Sequence, residues 1–145
     1  MEQLQVQTRK IEMKNACVHF MFSYQNKDVS RMMRFCDPAG EVYFVPLGEA
    51  GRGKIGELGQ NLWSLLIECF PDINNTIDAI VSEGEYIRCQ VLITGTQAQD
   101  FAGIPNKGKK FNSDHIFIFH LNENNKIDNI EIQWNHEDFV RQLSH

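Results

Sequence analysis

The chain has few cationic residues, no paired cysteines and no long apolar run, and each shortage removes a class of protein. Lys and Arg total 14 against 19 Asp and Glu, a formal net charge of -5 over 145 residues. A phosphate backbone would be repelled by this balance, so nucleic acid is not an expected partner. The longest apolar runs, such as IFIF at residues 116–119, fall far short of the roughly 20 residues that span a bilayer, and no membrane partner is expected. The first stretch, MEQLQVQTRKIEMK, is too polar for a secretory signal. Cys17, Cys36, Cys69 and Cys89 occur singly, without a C-x-x-C pair or a partnered H-x-x-x-H. A structural zinc site therefore has no support, and the cysteines read as small core residues in a reducing cytoplasm.

What is present is ordinary for one globular domain spanning residues 1–145, with 42% hydrophobic and 23% charged residues and no repeat, low-complexity tract or linker. Between about residues 6 and 26, Ile11, Val18 and Phe22, with Met13, Cys17, Met21 and Tyr24 beside them, recur at helical spacing and predict a long amphipathic helix. Asp28 caps a short second helix with Val29, Met32 and Met33 inward. EVYFVPL, residues 41–47, reads as a strand, and KIGELGQNLWSLLIECF as a helix stopped by Pro71. Four strands in meander order follow, at about residues 77–82, 85–96, 110–121 and 127–134. Asn135 then caps a closing helix. Helices at one end and hairpins at the other predict an α+β fold. The expected form is a cone-shaped, curved, mostly antiparallel sheet wrapped around the long N-terminal helix.

Two glycine motifs invite a nucleotide-binding reading. GIPNKGK, residues 103–109, has the spacing of a P-loop, but Lys110 stands where Ser or Thr would hold magnesium. Pro105 also removes one N–H donor, and the following FNSDHIFIFHL is a strand rather than a helix. GRGKIG, residues 51–56, lies between a strand and a helix, yet no parallel crossover follows it. Neither stretch carries the mechanism, and no cofactor is expected.

With the glycines released from that duty, a different pattern emerges. FPD (70–72), SEGE (82–85), GTQAQDFAGIPNKGKKF (95–111), NKI (125–127) and RQL (141–143) together resemble the SnoaL-like polyketide cyclase family, of the nuclear-transport-factor-2-like superfamily. Gly95, Thr96, Phe101, Gly103, Ile104, Pro105, Gly108 and Lys109 match that family's loop, while Gln97, Asn106 and Lys107 depart from it. The resemblance implies an α+β cone with a pocket between sheet and helices, a homodimer paired through the sheets, and no cofactor. It also implies an intramolecular aldol condensation with an aspartate as acid/base. That aspartate's position, counted from both flanking matches, falls on Ile132. The His two positions earlier falls on Ile130, and two inward polar positions of the preceding strand fall on His115 and Phe117.

Strand parity points the same way without the family. Ile130, Ile132 and Trp134 share one face of their strand, and His115, Phe117 and Phe119 share one face of its neighbour. The opposite face carries Asp114, Ile116, Ile118 and His120, apolar enough to meet a second copy. His115 is the one titratable group on the pocket face of these strands, either a general base or a satisfied pocket-lining residue. Tyr24 either reaches the cavity or packs in the core, and Trp63 belongs to core or pocket wall. Three readings remain: an acid/base enzyme acting on a small apolar ester or ketone through His115, a non-catalytic small-ligand module, or a structural homodimer whose cavity is filled by its own aromatics.

Overall fold

The structure is a computed structural model that describes residues 2–145. A long helix α1 (Glu2–Gln25) leads into α2 (Val29–Arg34), whose N-cap Asp28 accepts a hydrogen bond from the Arg31 N–H at 3.0 Å. Strand β1 (Cys36–Phe44), a 3-10 stretch (Val45–Gly51), the short β2 (Arg52–Lys54), a π-type turn (Ile55–Gly59) and helix α3 (Gln60–Cys69) follow. Then come β3 (Asn74–Glu83), β4 (Tyr86–Thr96), β5 (Lys110–Leu121), β6 (Ile127–Trp134) and α4 (His136–Ser144). Asn135 caps α4 by accepting from the Asp138 N–H at 3.0 Å. No helix among the described residues is long and apolar enough to cross a membrane.

The fold is α+β: one curved, mostly antiparallel sheet in the order β2-β1-β6-β5-β4-β3, with α1 laid across its inner face. The β3–β4–β5–β6 meander is present, but β1 pairs parallel with β6, a contact that the chain order does not reveal. Strand β1 also starts at Cys36, earlier than the pattern from Glu41 implies. A bulge between Cys36 and Glu41 absorbs Pro38, which cannot donate to a regular ladder.

The inner face of the sheet alternates as side-chain geometry requires: Ile87, Cys89, Val91 and Ile93 on β4 face Phe119, Phe117, His115 and Ser113 on β5. Against it lies a row from α1 comprising Met13, Cys17, Phe20, Met21 and Tyr24, all buried. Phe20 meets both Trp63 and Phe119 edge-on, at 5.2 and 5.5 Å between ring centroids. Ile11, Val18 and Phe22 belong to a second row on the far side of the helix and stay exposed. The helix has two apolar rows, and the sheet takes the one that carries the buried aromatics.

The glycine-rich stretches turn corners. Gly103 and Gly108 sit at φ +79 and +65, the left-handed region that glycine enters without steric cost. Asp100 accepts from the Asn106 N–H at 2.7 Å, and the Asn106 side chain accepts from the Gly108 N–H at 2.9 Å, so the loop ties its own donors before β5 begins at Lys110. Gly56 is required by crowding: a Cβ there would stand 2.7 Å from the Pro38 Cβ. Asp72 of the FPD stretch accepts from the Thr96 N–H at 2.6 Å and the Thr96 hydroxyl at 2.7 Å, clamping α3's exit to the end of β4.

Candidate functional site

Between the inner face of the sheet, α1, α3 and α4 lies a cavity of about 40 Å³, lined almost wholly by apolar side chains. It is far smaller than the roughly 300–1,000 Å³ of a drug-sized ligand site. Tyr24 reaches it from α1 and Trp63 from α3. His115 and Phe117 reach it from β5, Ile132 and Trp134 from β6, and Phe139 from α4. Phe119 and Ile130 share the inward faces of their strands but lie deeper, fully buried and outside the lining.

Sheet register sets the site's floor. His115 is paired with Trp134, and Phe117 with Ile132, across the β5–β6 ladder. The His115 ring stacks on Trp134, centroids 5.2 Å apart at 17°. Its Nδ1 lies 3.2 Å from the Ser113 carbonyl oxygen. A carbonyl only accepts, so Nδ1 carries the proton and Nε2 keeps its lone pair. Burial pushes the imidazole down to about 4, against the opposing pull of the Ser113 carbonyl, and the ring is neutral at pH 7. Burial likewise pushes the Tyr24 hydroxyl up, so it stays protonated, a potential donor in the cavity wall. The cavity lining contains no Asp, Glu, Lys or Arg.

Sequence reasoning missed Phe101, Phe111 and Phe139, which line the cavity from a loop, the start of β5 and α4. They cluster with Phe70, whose ring lies 5.1 Å from Phe111 and 5.7 Å from Phe101, and Phe111 lies 4.8 Å from Phe139. Phe111 was legible, because it shares parity with His115. The other two arrive through tertiary packing alone. Gln97 acts on the loop: its Nε2 donates to the carbonyls of Gln99 at 3.1 Å and Ile104 at 2.9 Å, closing the turn that delivers Phe101.

The long helix crosses the curved sheet, and Asp72 of the FPD stretch is bonded to Thr96 of the GT stretch at one end of it. The model of the SnoaL-like polyketide cyclases matches residues 16–143. The chain belongs to the SnoaL-like polyketide cyclase family. Among solved structures, a candidate SnoaL-like polyketide cyclase from Jannaschia sp. CCS1 is similar at TM-score 0.82 and 14% identity, with 92% of each chain covered. TsrD from Streptomyces laurentii is similar at TM-score 0.78 and 21% identity, over 92% of this chain and 95% of that one. IdmH from Streptomyces antibioticus, a candidate polyketide cyclase, is similar at TM-score 0.77 and 17% identity, over 92% of this chain and 99% of that one. At these identities the likeness shows the fold. No curated protein matches the sequence. In this SnoaL-like chain Ile132, 1% exposed, stands against Phe117 in the cavity floor.

Proposed function

We propose that this chain is a SnoaL-like protein that binds a small, largely apolar molecule when lining side chains such as Phe139 move aside to widen the cavity of about 40 Å³, needs no cofactor, and does not run the aspartate-dependent cyclisation of its family. The observation that carries this reading is the cavity floor. Ile132 lies in it, at the position where the family resemblance would put the acid/base aspartate, and His115 offers a neutral Nε2 as acceptor in an otherwise apolar lining. An imidazole pushed to about 4 is a weak base at neutral pH, where an effective general base is poised near 7. It serves better as a hydrogen-bond acceptor that orients a ligand hydroxyl or amide.

A second reading is acid/base turnover of a small ester or ketone at His115. It is favoured by the free Nε2 and by a Tyr24 hydroxyl that burial keeps protonated. The two readings part in one experiment. Wild type, His115→Ala and Ile132→Asp are assayed for turnover of polyketide methyl esters. The same proteins are titrated with small aromatic alcohols by ligand-observed NMR. Saturable binding that weakens in His115→Ala, with no turnover by wild type, is expected. Wild-type turnover that His115→Ala abolishes establishes the second reading, and turnover that survives it removes His115 from the chemistry.

We also propose a homodimer through the outer sheet face. Val81 is 48% exposed there, on the same face as the half-buried Leu92, Ile116 and Ile118 and next to Arg88. The four cysteines, all free and buried, fit a reducing, cytoplasmic setting.

A further inference from the structure

The cavity of about 40 Å³ admits a ligand only when part of its wall moves, and the walls are held unequally. The floor strands are bonded in antiparallel ladders, β4 to β5 and β5 to β6. Trp63 of α3 lies edge-on to both Phe20 and Phe44, at 5.2 and 5.4 Å between ring centroids. The loop that carries Phe101 is closed by backbone bonds in both directions between Phe101 and Ile104, and its Ala98 N–H donates to the Cys69 carbonyl at 2.7 Å. Helix α4 has no comparable anchor. Of its nine residues only Phe139 and Leu143 are buried, and among the described residues no backbone–backbone bond joins it to another element. Its ties are side-chain bonds, most of them in water. Gln142 accepts from the Asn112 N–H and donates to the Asn112 carbonyl, both at 2.8 Å, and Lys107 donates to the Ser144 carbonyl at 2.9 Å. Such exposed bonds are exchanged for bonds to water at little net cost. The fourth, from the Trp134 indole N–H to His136 Nδ1 at 3.2 Å, is part-buried.

We propose that α4 is the gate of this cavity, turning about Asn135 to carry Phe139 out of the wall, an inference that rests on the ligand-binding reading above. Asn135 is the single residue between β6 and α4, so a change of its φ and ψ alone re-aims the helix. The helix's own bonds travel with it. Asn135 caps it through the Asp138 N–H at 3.0 Å, and the Gln142 amide also donates to the Asp138 carboxylate at 2.8 Å. Phe139 is the plug. Its ring meets Phe111 edge-on at 4.8 Å and Phe101 at 6.4 Å, contacts between aromatic edges and faces that an aromatic ligand can replace. Opening also parts the Trp134 indole from His136, and that indole is stacked on His115 at 5.2 Å. The same movement therefore frees the ring that lies on His115, and closure seals ligand and imidazole together away from water. The Phe101 loop is the poorer entrance. Moving it breaks its backbone bonds and the two that Gln97 donates to the Gln99 and Ile104 carbonyls, at 3.1 and 2.9 Å.

The test puts a thiol in the cavity floor with Ile132→Cys and follows its reaction with methyl methanethiosulfonate, resolved from the native cysteines by peptide mass spectrometry. Cys89, fully buried on β4, reports global unfolding in the same sample. The introduced thiol should react at least about tenfold faster than Cys89 in native buffer. Its rate should hardly change in low urea, because swinging one short helix exposes little surface, whereas the Cys89 rate should climb. Gln142→Ala should speed the introduced thiol about tenfold, the factor that the two-way bond to Asn112 carries, and Gln97→Ala should leave its rate unchanged. Reaction in step with Cys89 overturns the gate. Acceleration by Gln97→Ala but not by Gln142→Ala overturns it as well and moves the entrance to the Phe101 loop. Amide hydrogen exchange on wild type decides the matter even if Ile132→Cys does not fold. The α4 amides should exchange through a urea-insensitive opening that the β5 amides do not share, and a common urea dependence overturns the gate. Because opening is read without a ligand, adding phenol separates the two readings. An α4 that opens while phenol leaves the thiol reaction unslowed sinks the ligand-binding reading and keeps the gate.

Discussion

The acid stability of this protein should turn on His115. Its imidazole is 8% exposed, stacked on Trp134 and pushed from 6.5 to about 4 by burial. Above pH 6.5 the folded and unfolded chains both hold it neutral, and it adds no pH dependence. Between 6.5 and about 4 the unfolded chain takes up a proton that the folded chain refuses, so stability falls as pH falls. Below about 4 both forms are protonated and the full penalty has accrued, about 3 kcal/mol at 1.36 kcal/mol per pH unit. His115→Phe keeps a ring against Trp134 and cannot titrate. At pH 7 it should cost about 1 kcal/mol, for the lost bond to the Ser113 carbonyl. Urea unfolding followed by tryptophan fluorescence at pH 7 and pH 4 supplies the comparison. Other groups, such as the part-buried His136, whose imidazole burial also lowers, act equally in both proteins and cancel in the difference. Wild type should lose about 3 kcal/mol more than His115→Phe between the two pH values. Equal losses would refute the claim that this imidazole is held neutral by burial.

Ile132→Asp places a carboxylate in the cavity floor against Phe117 and should cost about 3–5 kcal/mol at pH 7. The cost should shrink towards pH 4, because burial raises the carboxyl's pKa and the neutral acid is cheaper to bury. Denaturant melts at the two pH values check this, and a cost below about 1 kcal/mol would mean that the floor is open to water. Phe139→Ala should cost about 3–5 kcal/mol and enlarge the cavity, so benzene should then raise its melting temperature. Absence of any benzene-dependent rise would show that α4 collapses into the space instead. Gly103→Ala meets no neighbouring atom within 4 Å and pays only for its positive φ, about 1–2 kcal/mol by chemical unfolding. A neutral outcome would show that the loop relaxes to another path. ATP and NAD at millimolar concentration should leave the melting temperature unchanged, and a saturable rise of several degrees would revive the glycine motifs as a nucleotide site.

Much of the architecture is local, and local physics was legible. The meander from β3 to β6 follows from alternating apolar residues and turn chemistry. The caps at Asp28 and Asn135 follow from side chains that bond the first free N–H groups of a helix. The inward placement of His115, Phe117, Ile130 and Ile132 follows from strand parity, because a side-chain period of two allows no other choice once one face is buried. The FPD, GT and GIP stretches carried the resemblance to the family, since a clamp such as Asp72 on Thr96 needs particular residues at particular places. Tertiary structure alone decided three things. It chose which of α1's two apolar rows would be buried, because both have helical period and only the shape of the sheet distinguishes them. It paired β1 with β6 in parallel, across a separation that no local pattern encodes. And it closed the cavity to about 40 Å³ with Phe101 and Phe139, whose contribution depends on how a loop and a terminal helix fold back over the sheet. Residue identity thus determined which face of each strand looks inward, while packing volume decided how much room was left there.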